Sequence, residues 1–416
     1  MLPMKPIHFT LLWRQCDWGL YGRRNEVFAR ALAAHPSVGH VVHVEPVSPK
    51  QLLQHARSWW AASQPALAHA HGVQLRKMLP PTRHIHVAED LAITSLGVAT
   101  KRAYPEAVAA VNRTLVRTQA RRIERARRNG SSGAHCVVAY PPAAYLPVAL
   151  DALTYDLCVA DLIDDVPAQV ANDRLRRAYR QTYADVLPRC DWAVATSEHV
   201  AATFQPYATC PIDVLRNGVH VDETATSSSV ASSKGHGVGY VGMINQTMNV
   251  ALVDHVTRAL PNVTFKLAGP VHPSMRDRIA PLRKRSNVIF RGPILKSDVP
   301  AFLRECRVLF SFKRNDAITA GNDSMKIYEY LATGRPVVST PVAPADRFDD
   351  VVYTAETPQA FEAALKTALV ENDPARVDRR LELARNNAWT QRIDAFVQGV
   401  ASRLQRIATD CVRQNE

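Results

Sequence analysis

The sequence predicts an α/β protein built from two Rossmann-like, doubly wound parallel-sheet domains facing across a cleft, and three observations carry that prediction. At 416 residues the chain exceeds what one hydrophobic core usually organises. Short β-rich runs alternate with helical stretches in both halves, the rhythm of βαβ units and parallel sheets. Between the halves runs TATSSSVASSKGHG, Thr224 to Gly237, too small and polar to pack a core. The expected division is a first domain over 1–222, a linker over 223–237, a second domain over 238–390 and a C-terminal helix over 391–416.

In the first domain Ile7–Trp13 and His40–Val44 read as buried strands with an amphipathic helix, Asn25–Ala34, between them. His135–Ala139, Leu157–Ala160, Trp192–Thr196 and Ile212–Leu215 follow as further strands. In the second domain the strands are Gly237–Val241, Thr264–Ala268, Val288–Phe290, Val308–Phe312 and Pro336–Ser339. Helices are expected at Val250–Ala259, near Ser274–Lys284, at Ser297–Glu305 and at Ser324–Thr333. In open parallel sheets ligands sit beyond the carboxyl ends of the strands, so the functional residues belong in the loops that follow them.

Composition narrows the class. The chain is 47% apolar and 21% charged, the balance of an ordinary globular protein. No uncharged apolar run approaches the ~18 residues of a membrane span. Ile7–Trp13 lacks a small-residue cleavage site after it and reads as a first strand, not a leader. Seven scattered cysteines without CxxC spacing argue against a disulfide framework or a zinc site and suit a reducing cytoplasm. The net charge of +13 is spread over both halves, with one concentration at Arg113, Arg117, Arg121, Arg122, Arg125, Arg127 and Arg128. Such a surface suits anionic lipid, nucleic acid or phosphorylated substrates, and equally a solvated helix face. Trp59-Trp60 is expected to pack in the interior, with a membrane-surface anchor as the alternative.

The stretch from Asn322 to Pro341, NDSMKIYEYLATGRPVVSTP, carries the chemistry. Asp323 or Ser324 can cap a helix, Gly334 ends it with a residue free to take positive φ, and Pro336 opens a β-branched strand. The first turn of that helix, at Ser324 and Met325, offers unpaired N–H groups to an anion, and Lys326 adds a full charge. Glu329 shares a face with Lys326 and can accept hydrogen bonds from hydroxyls. A phosphate site beside a hydroxyl site suits a nucleoside diphosphate. The same residues also fit a plain capped helix with a Lys–Glu pair.

This segment resembles the donor-binding helix of GT-B glycosyltransferases, especially family 4 and its relatives, whose motif reads P-x-K-x-x-E-Y-[LM]-A-x-G-[KR]-P-V-V. Lys326, Glu329, Tyr330, Leu331, Ala332, Gly334, Arg335, Pro336, Val337 and Val338 fall in register with it. The resemblance extends to Tyr240-Val241-Gly242, to Lys266–Pro270, to Asn287–Gly292, to Asn217-Gly218-Val219 and to Asn387-Ala388-Trp389. It implies a nucleotide-sugar donor, with phosphates at the helix start and donor ribose on Glu329. It also implies donor contacts from Gly242 and Asn245, from Arg291, Gly292 and Ile294 near the base, and a terminal helix crossing back to the first domain.

Two departures stand out. Retaining members often carry an E-x7-E pair, and the first position here is Gly321; Asp316, Asn322 and Asp323 are the nearby substitutes. The loop Met243–Asn249 lacks the Arg and Lys that family 4 members commonly place there, leaving Lys313 and Arg314 as replacements.

On the acceptor side the loop Asp17–Asn25 follows the first strand, with Gly19, Gly22 and Arg23 as candidate contacts. It is not G-x-G-x-x-G, which argues against a nicotinamide site. Asp161, Asp164 and Asp165 follow the expected strand Leu157–Ala160, where a general base belongs, although Asp164 or Asp165 also fits a helix cap. No D-x-D triplet occurs, so neither a bound metal nor any other cofactor is expected.

The sequence thus points to a hexosyltransferase-type enzyme moving a sugar from a nucleoside-diphosphate donor to a hydroxyl of a glycan or lipid-linked acceptor. A cytoplasmic place at the inner face of an anionic membrane, reached through Arg113–Arg128, accompanies it. Nucleic acid is not an expected partner, since aromatic platforms and recognition motifs are lacking. The alternatives are a non-catalytic nucleotide-sugar-binding homologue and a GT-B sugar-nucleotide epimerase.

Overall fold

The structure is a computed structural model that describes residues 6–15, 17–19, 22–47, 49–60, 68, 71–73, 75, 85–88, 91–98, 113–114, 116–118, 120–121, 132–222, 225–232 and 235–414. It divides into two units, Met1–Arg216 with Arg392–Glu416, and Asn217–Gln391.

The first unit holds an eight-stranded sheet in the order β3-β4-β2-β1-β5-β6-β7-β8. Its strands are β1 (Ile7–Leu12), β2 (Val38–Val47), β3 (Ile85–Ala88), β4 (Leu91–Val98), β5 (Ala134–Ala139), β6 (Leu157–Leu162), β7 (Trp192–Ala195) and β8 (Ile212–Val214). All neighbours pair in parallel except β3 with β4. β1, β5, β6 and β7 read as nearly continuous apolar runs because both faces of a parallel sheet are covered. One face packs Leu12, Val137, Leu146, Leu162, Tyr183 and Phe204. Elsewhere in the unit Phe396 of the C-terminal helix Trp389–Gln414 meets Phe28 at 4.9 Å, Trp192 at 5.4 Å and Phe9 at 6.1 Å between ring centroids. These aromatic contacts give the 392–416 segment its place in the first unit.

The second unit is a six-stranded parallel sheet in the order β11-β10-β9-β12-β13-β14. Its strands are β9 (Val238–Val241), β10 (Phe265–Ala268), β11 (Val288–Gly292), β12 (Val308–Ser311), β13 (Val337–Ser339) and β14 (Val352–Thr354). Numbered within the unit, this is the 3-2-1-4-5-6 order of a doubly wound sheet, whose direction of winding reverses between β9 and β12. One core cluster includes Leu252, Val256, Phe265, Phe310 and Phe361; another includes Phe302, Ile327, Tyr328, Tyr330 and Leu331.

Both Rossmann-like sheets are therefore as expected, and several details differ. β3 and β4 were not anticipated, because a strand such as LAITSLGV mixes polar and glycine positions without alternation. The unit boundary lies at Arg216–Asn217, ahead of the expected linker, and 227–232 within that linker is helical. The helix expected near Ser274–Lys284 is a 3-10 turn, Pro273–Met275, and a short helix, Ala280–Arg283. Pro281 has no N–H to continue a helix arriving from upstream. Trp59 and Trp60 end the helix Pro49–Trp60 and are exposed, Trp60 at 86%, so interior packing is not their role. Arg113, Arg117 and Arg121 form an exposed stripe opposite buried Val116 and Ala120; Arg122, Arg125, Arg127 and Arg128 lie outside the described residues.

Candidate functional site

The strongest constellation lies at the carboxyl ends of β9, β10 and β11. The chain leaves β9 at Gly242 with φ of 142° and leaves β10 at Gly269 with φ of 137°. A Cβ on Gly269 would lie 2.1 Å from the Gly242 carbonyl oxygen, so two bare backbones cross where no side chain fits. Gly242 N–H donates to the Ala268 carbonyl at 2.9 Å, and Gly269 N–H to the Gly292 carbonyl at 2.7 Å. The result is a close line of strand ends facing the helix Met325–Leu331.

That helix is bolted in place through its tyrosines. Buried Tyr330 accepts the Val241 N–H on its hydroxyl at 3.1 Å. Buried Tyr328 donates its hydroxyl to Asp323 at 2.7 Å, and Asp323 also accepts the Asn217 N–H at 2.6 Å. Asp323 is thus a structural anchor for the start of the unit and is not free to replace the carboxylate missing at Gly321. Ser324 occupies the N-cap position without a side-chain cap bond, which corrects both capping expectations. Asp316 is occupied as well, pairing with Arg314 at 2.7 Å and accepting the Ile318 N–H at 3.1 Å.

Held this way, Lys326 reaches back over β9. Its ammonium donates to the Tyr240 hydroxyl at 3.1 Å and lies 4.6 Å from that ring's centroid. A Cβ added to Gly242 would stand 2.8 Å from Lys326 Nζ, which measures how closely the cation approaches the glycine turn. Burial pulls Lys326 down to about 8, and the nearby Glu329 carboxylate opposes the shift. A cation whose burial costs this much gains more than usual from an anion that enters beside it.

Glu329 sits one turn further along and pairs with Lys296, a residue that no sequence pattern links to it across the intervening chain. Both line a cavity of about 730 Å³ together with Val219, His220, Val299 and Leu303. His220 is lowered by burial and by Lys296 and raised by Glu329. Lys296 and His220 therefore join the site from outside the motif.

The remaining donor candidates divide. Ile294 packs against the core cluster under the helix, and Met325 opens the helix. Gly292 has φ of 72° and open space where a Cβ would be. Asn245 turns its side chain inward, accepting the Thr247 N–H at 3.0 Å and hydroxyl at 2.7 Å, so it shapes the loop. Arg291 forms an exposed pair with Glu305 at 3.4 Å and does not line the cavity beside Glu329. Lys313 bridges to Met248 across an antiparallel pair and lines a second cavity, of about 410 Å³.

In the first unit Asp161 forms a buried ion pair. It is 0% exposed, and Arg24, 2% exposed, binds both its oxygens, from Nε at 3.0 Å and Nη2 at 3.1 Å. Burial pushes this carboxyl up while Arg24 and Arg14 draw it down. Both oxygens are engaged by Arg24 and the side chain exposes no surface. Asp165 accepts the Ala168 N–H at 3.1 Å and caps a turn, whereas the helix that follows starts at Asp173 with Asn172 as its cap. Asp164 is partly exposed beyond β6 with Arg14 Nη2 at 3.5 Å, and is the member of the trio still open to a ligand. The loop after β1 is a knit polar network. Arg23 pairs with Asp17 at 3.1 Å, Gly19 N–H donates to Glu26 at 2.8 Å, and Glu45 accepts the Asp17 and Trp18 N–H groups. Gly22 turns with φ of 52°.

Comparison with known proteins bears on this arrangement. Residues 235–371 match the family model of Glycosyl transferases group 1. TuaH of Bacillus subtilis (strain 168), which carries the name teichuronic acid biosynthesis glycosyltransferase, is 21% identical over 228 residues, 51% of this chain. The match spans 57% of that relative's length. Among solved structures, one described as trehalose-6-phosphate from E. coli bound with UDP-2-fluoro glucose superposes with a TM-score of 0.63 at 9% identity, covering 96% of this chain and 99% of that one. HepE of Anabaena, in complex with UDP and glucose, gives a TM-score of 0.61 at 12% identity over 96% and 99%. The chain therefore has the GT-B fold, and residues 235–371 in its second unit match the Glycosyl transferases group 1 model.

Proposed function

We propose that this protein is a glycosyltransferase that moves a sugar from a nucleoside-diphosphate donor to a hydroxyl of a glycan or lipid-linked acceptor. The observation that carries the reading is Lys326, a desolvated ammonium held against the glycine turn at the end of β9, with Glu329 one turn away on a cavity wall. The diphosphate meets Lys326 and the ribose hydroxyls donate to Glu329. In the reaction the acceptor oxygen bonds to the anomeric carbon, the bond from that carbon to the phosphate oxygen breaks, and the nucleoside diphosphate leaves with the electron pair. Lys326 answers the charge that develops on it, an interaction organised before reaction, so the reading needs no metal. Asp164 takes the acceptor proton. Two relatives in fold whose descriptions name UDP or a UDP-sugar support the donor class, and the name of TuaH, with its teichuronic acid biosynthesis, supports a glycan as product.

The exposed Arg113, Arg117 and Arg121 stripe, with exposed Leu53, Trp59 and Trp60 on the helix Pro49–Trp60, supports contact with an anionic membrane surface. No helix among the described residues is long and apolar enough to cross a membrane. A cytoplasmic location at the inner leaflet fits this contact.

Glu329→Ala tests the donor site. UDP binding by calorimetry should weaken by about tenfold to a hundredfold, the loss of hydrogen bonds to a charged acceptor, while the far-ultraviolet spectrum stays that of the parent. Unchanged UDP affinity sinks the assignment. Gly321 and the engaged Asp323 favour one rival, a nucleotide-sugar binder without turnover. UDP binding without release of UDP from any donor sugar, across a panel of acceptors, would establish that rival.

A further inference from the structure

We propose that the acceptor is an anionic glycan, held through the negative charges on its successive sugars by a row of arginines on the helix Asp173–Val186 of the first unit. This deepens, and rests on, the reading that the first unit receives the acceptor. The helix joins β6 to β7, which pair in parallel, so it runs opposite to both strands. Near its end Tyr183 donates its hydroxyl to the Pro141 carbonyl at 3.3 Å, just beyond the end of β5. With a rise of about 1.5 Å per residue, Arg180, Arg177 and Arg174 stand roughly 4.5, 9 and 13.5 Å further toward the side of the strands' carboxyl ends. Open α/β sheets receive ligands on that side, and Asp164, the proposed base, follows β6 there.

The fold leaves this row without counter-charge. Arg174, Arg177 and Arg180 are exposed, and none has an ion-pair or hydrogen-bond partner among the described residues. Steps of three residues place them on one stripe, and Arg176 lies four before Arg180. Like charges at these spacings weaken a helix. The acidic residues of the helix do not offset them. Asp173 pairs with Arg176 at 2.9 Å, and Asp185 accepts the Gln181 amide at 2.8 Å beyond the row. A local cost that nothing inside the fold compensates is the mark of a functional surface. An anion arriving from outside supplies the missing charge, and the guanidinium fork fits a carboxylate or a phosphate through two hydrogen bonds.

A glycan fits the row better than a lipid surface does. A helix that lies on a membrane presents large apolar side chains beside its cations, as Pro49–Trp60 does with Leu53, Trp59 and Trp60. On Asp173–Val186 no large apolar side chain is exposed; Tyr183 and Val186 are turned into the core. The arginines therefore stand on a purely polar face, suited to a hydrated, flexible polyanion that lies along the helix and brings its end to Asp164.

The test uses the whole chain with a labelled oligogalacturonate, which carries one carboxylate per sugar, read by fluorescence anisotropy at constant ionic strength. A neutral malto-oligosaccharide of equal length is the control. The parent should bind the charged chain saturably and the neutral one far more weakly. Replacing Arg174, Arg177 and Arg180 together by Gln should weaken oligogalacturonate about tenfold, the sum of three exposed ion pairs. Replacing Arg276, Arg278 and Lys284 by Gln removes the same charge from exposed positions of the second unit, and should weaken it by less than about twofold, since distant charges are screened. Calorimetry should find parental UDP affinity in both triple variants. A parent that binds oligogalacturonate but not UDP would keep this proposal while sinking the donor reading. Five results would overturn it: no saturable binding in the parent, equal binding of the neutral chain, parental affinity in the first triple variant, equal weakening in both, or loss of anionic-vesicle sedimentation in the first triple variant with glycan binding retained. The last would assign the row to a membrane.

Discussion

Asp161→Asn separates a structural ion pair from a catalytic base, because the two roles predict opposite signatures. Arg24 and Asp161 meet through two hydrogen bonds of 3.0 and 3.1 Å, and Arg24 uses Nη1 on the Arg216 carbonyl at 3.1 Å. With charge centres near 4 Å and an effective dielectric near 20, their attraction is about 4 kcal/mol. Asparagine keeps the shape but presents one acceptor and one donor to a guanidinium that has only donors. The buried Arg24 is left without its counter-charge, and loss of one partner from such a pair costs about 3–5 kcal/mol.

Tryptophan fluorescence in a urea titration reads this directly. Trp13, Trp18, Trp59, Trp60 and Trp192 lie in the first unit and Trp389 alone in the second, so the signal reports chiefly the unit that holds the pair. With a slope of about 2 kcal/mol per molar, the midpoint should fall by about 1.5–2.5 M. The double variant Arg24→Met with Asp161→Leu should recover much of that loss, since an apolar pair leaves no buried charge. An unmoved midpoint in Asp161→Asn, together with a hundredfold loss of turnover, would refute the structural role and restore Asp161 as the base.

Other expectations follow from the donor end and the surface. Lys326 titrates near 8 in the folded chain and at 10.5 when free, so its burial penalty is fully present below about 8 and disappears as pH rises toward 10.5. An anionic ligand selects the protonated form. UDP affinity should therefore fall above pH 8, by up to about tenfold per unit, and Lys326→Met should flatten the profile by calorimetry; an equal slope in that variant would count against the contact. Gly269→Ala drives a Cβ against the Gly242 carbonyl at a φ of 137°, and should destabilise the second unit by about 3 kcal/mol or more, seen as a lowered thermal midpoint. Trp60→Ala should reduce sedimentation with vesicles containing anionic lipid and leave UDP binding unchanged, and added salt should weaken the parent's vesicle binding. Equal sedimentation of parent and variant would remove that helix from the membrane reading.

Much of the fold was legible because βαβ units announce themselves locally. β9, β10, β11 and β13 are short runs flanked on at least one side by glycine, proline or asparagine, which makes them stand out in the sequence. The helix with Lys326 and Glu329 was legible for a similar reason, since spacing along seven residues fixes which side chains share a face. Lys296 was not, because its partner Glu329 lies 33 residues away and the two meet only after the β11-β10-β9-β12 part of the sheet is assembled. Asp161, Asp164 and Asp165 look alike as a run of carboxylates. What distinguishes them is depth: one is inside β6 against an arginine from a distant helix, one caps a turn, one is at the rim. Burial of a charge is a tertiary property, and no local pattern encodes it.

The missing cations of the glycine loop illustrate the same point from the other direction. A sequence comparison registers Met243–Asn249 as a loop stripped of charge, yet the site it borders is not stripped. Lys326 arrives from the helix, fixed by Tyr330 on Val241 and by its own contact with Tyr240, and its ammonium occupies the space a Gly242 side chain would need. Lys313 arrives from β12 through its bridge to Met248. Two cations from separate elements thus flank a loop that carries none. Because each is held by a different framework, one by tyrosines and one by backbone pairing, substituting either should leave the other in place.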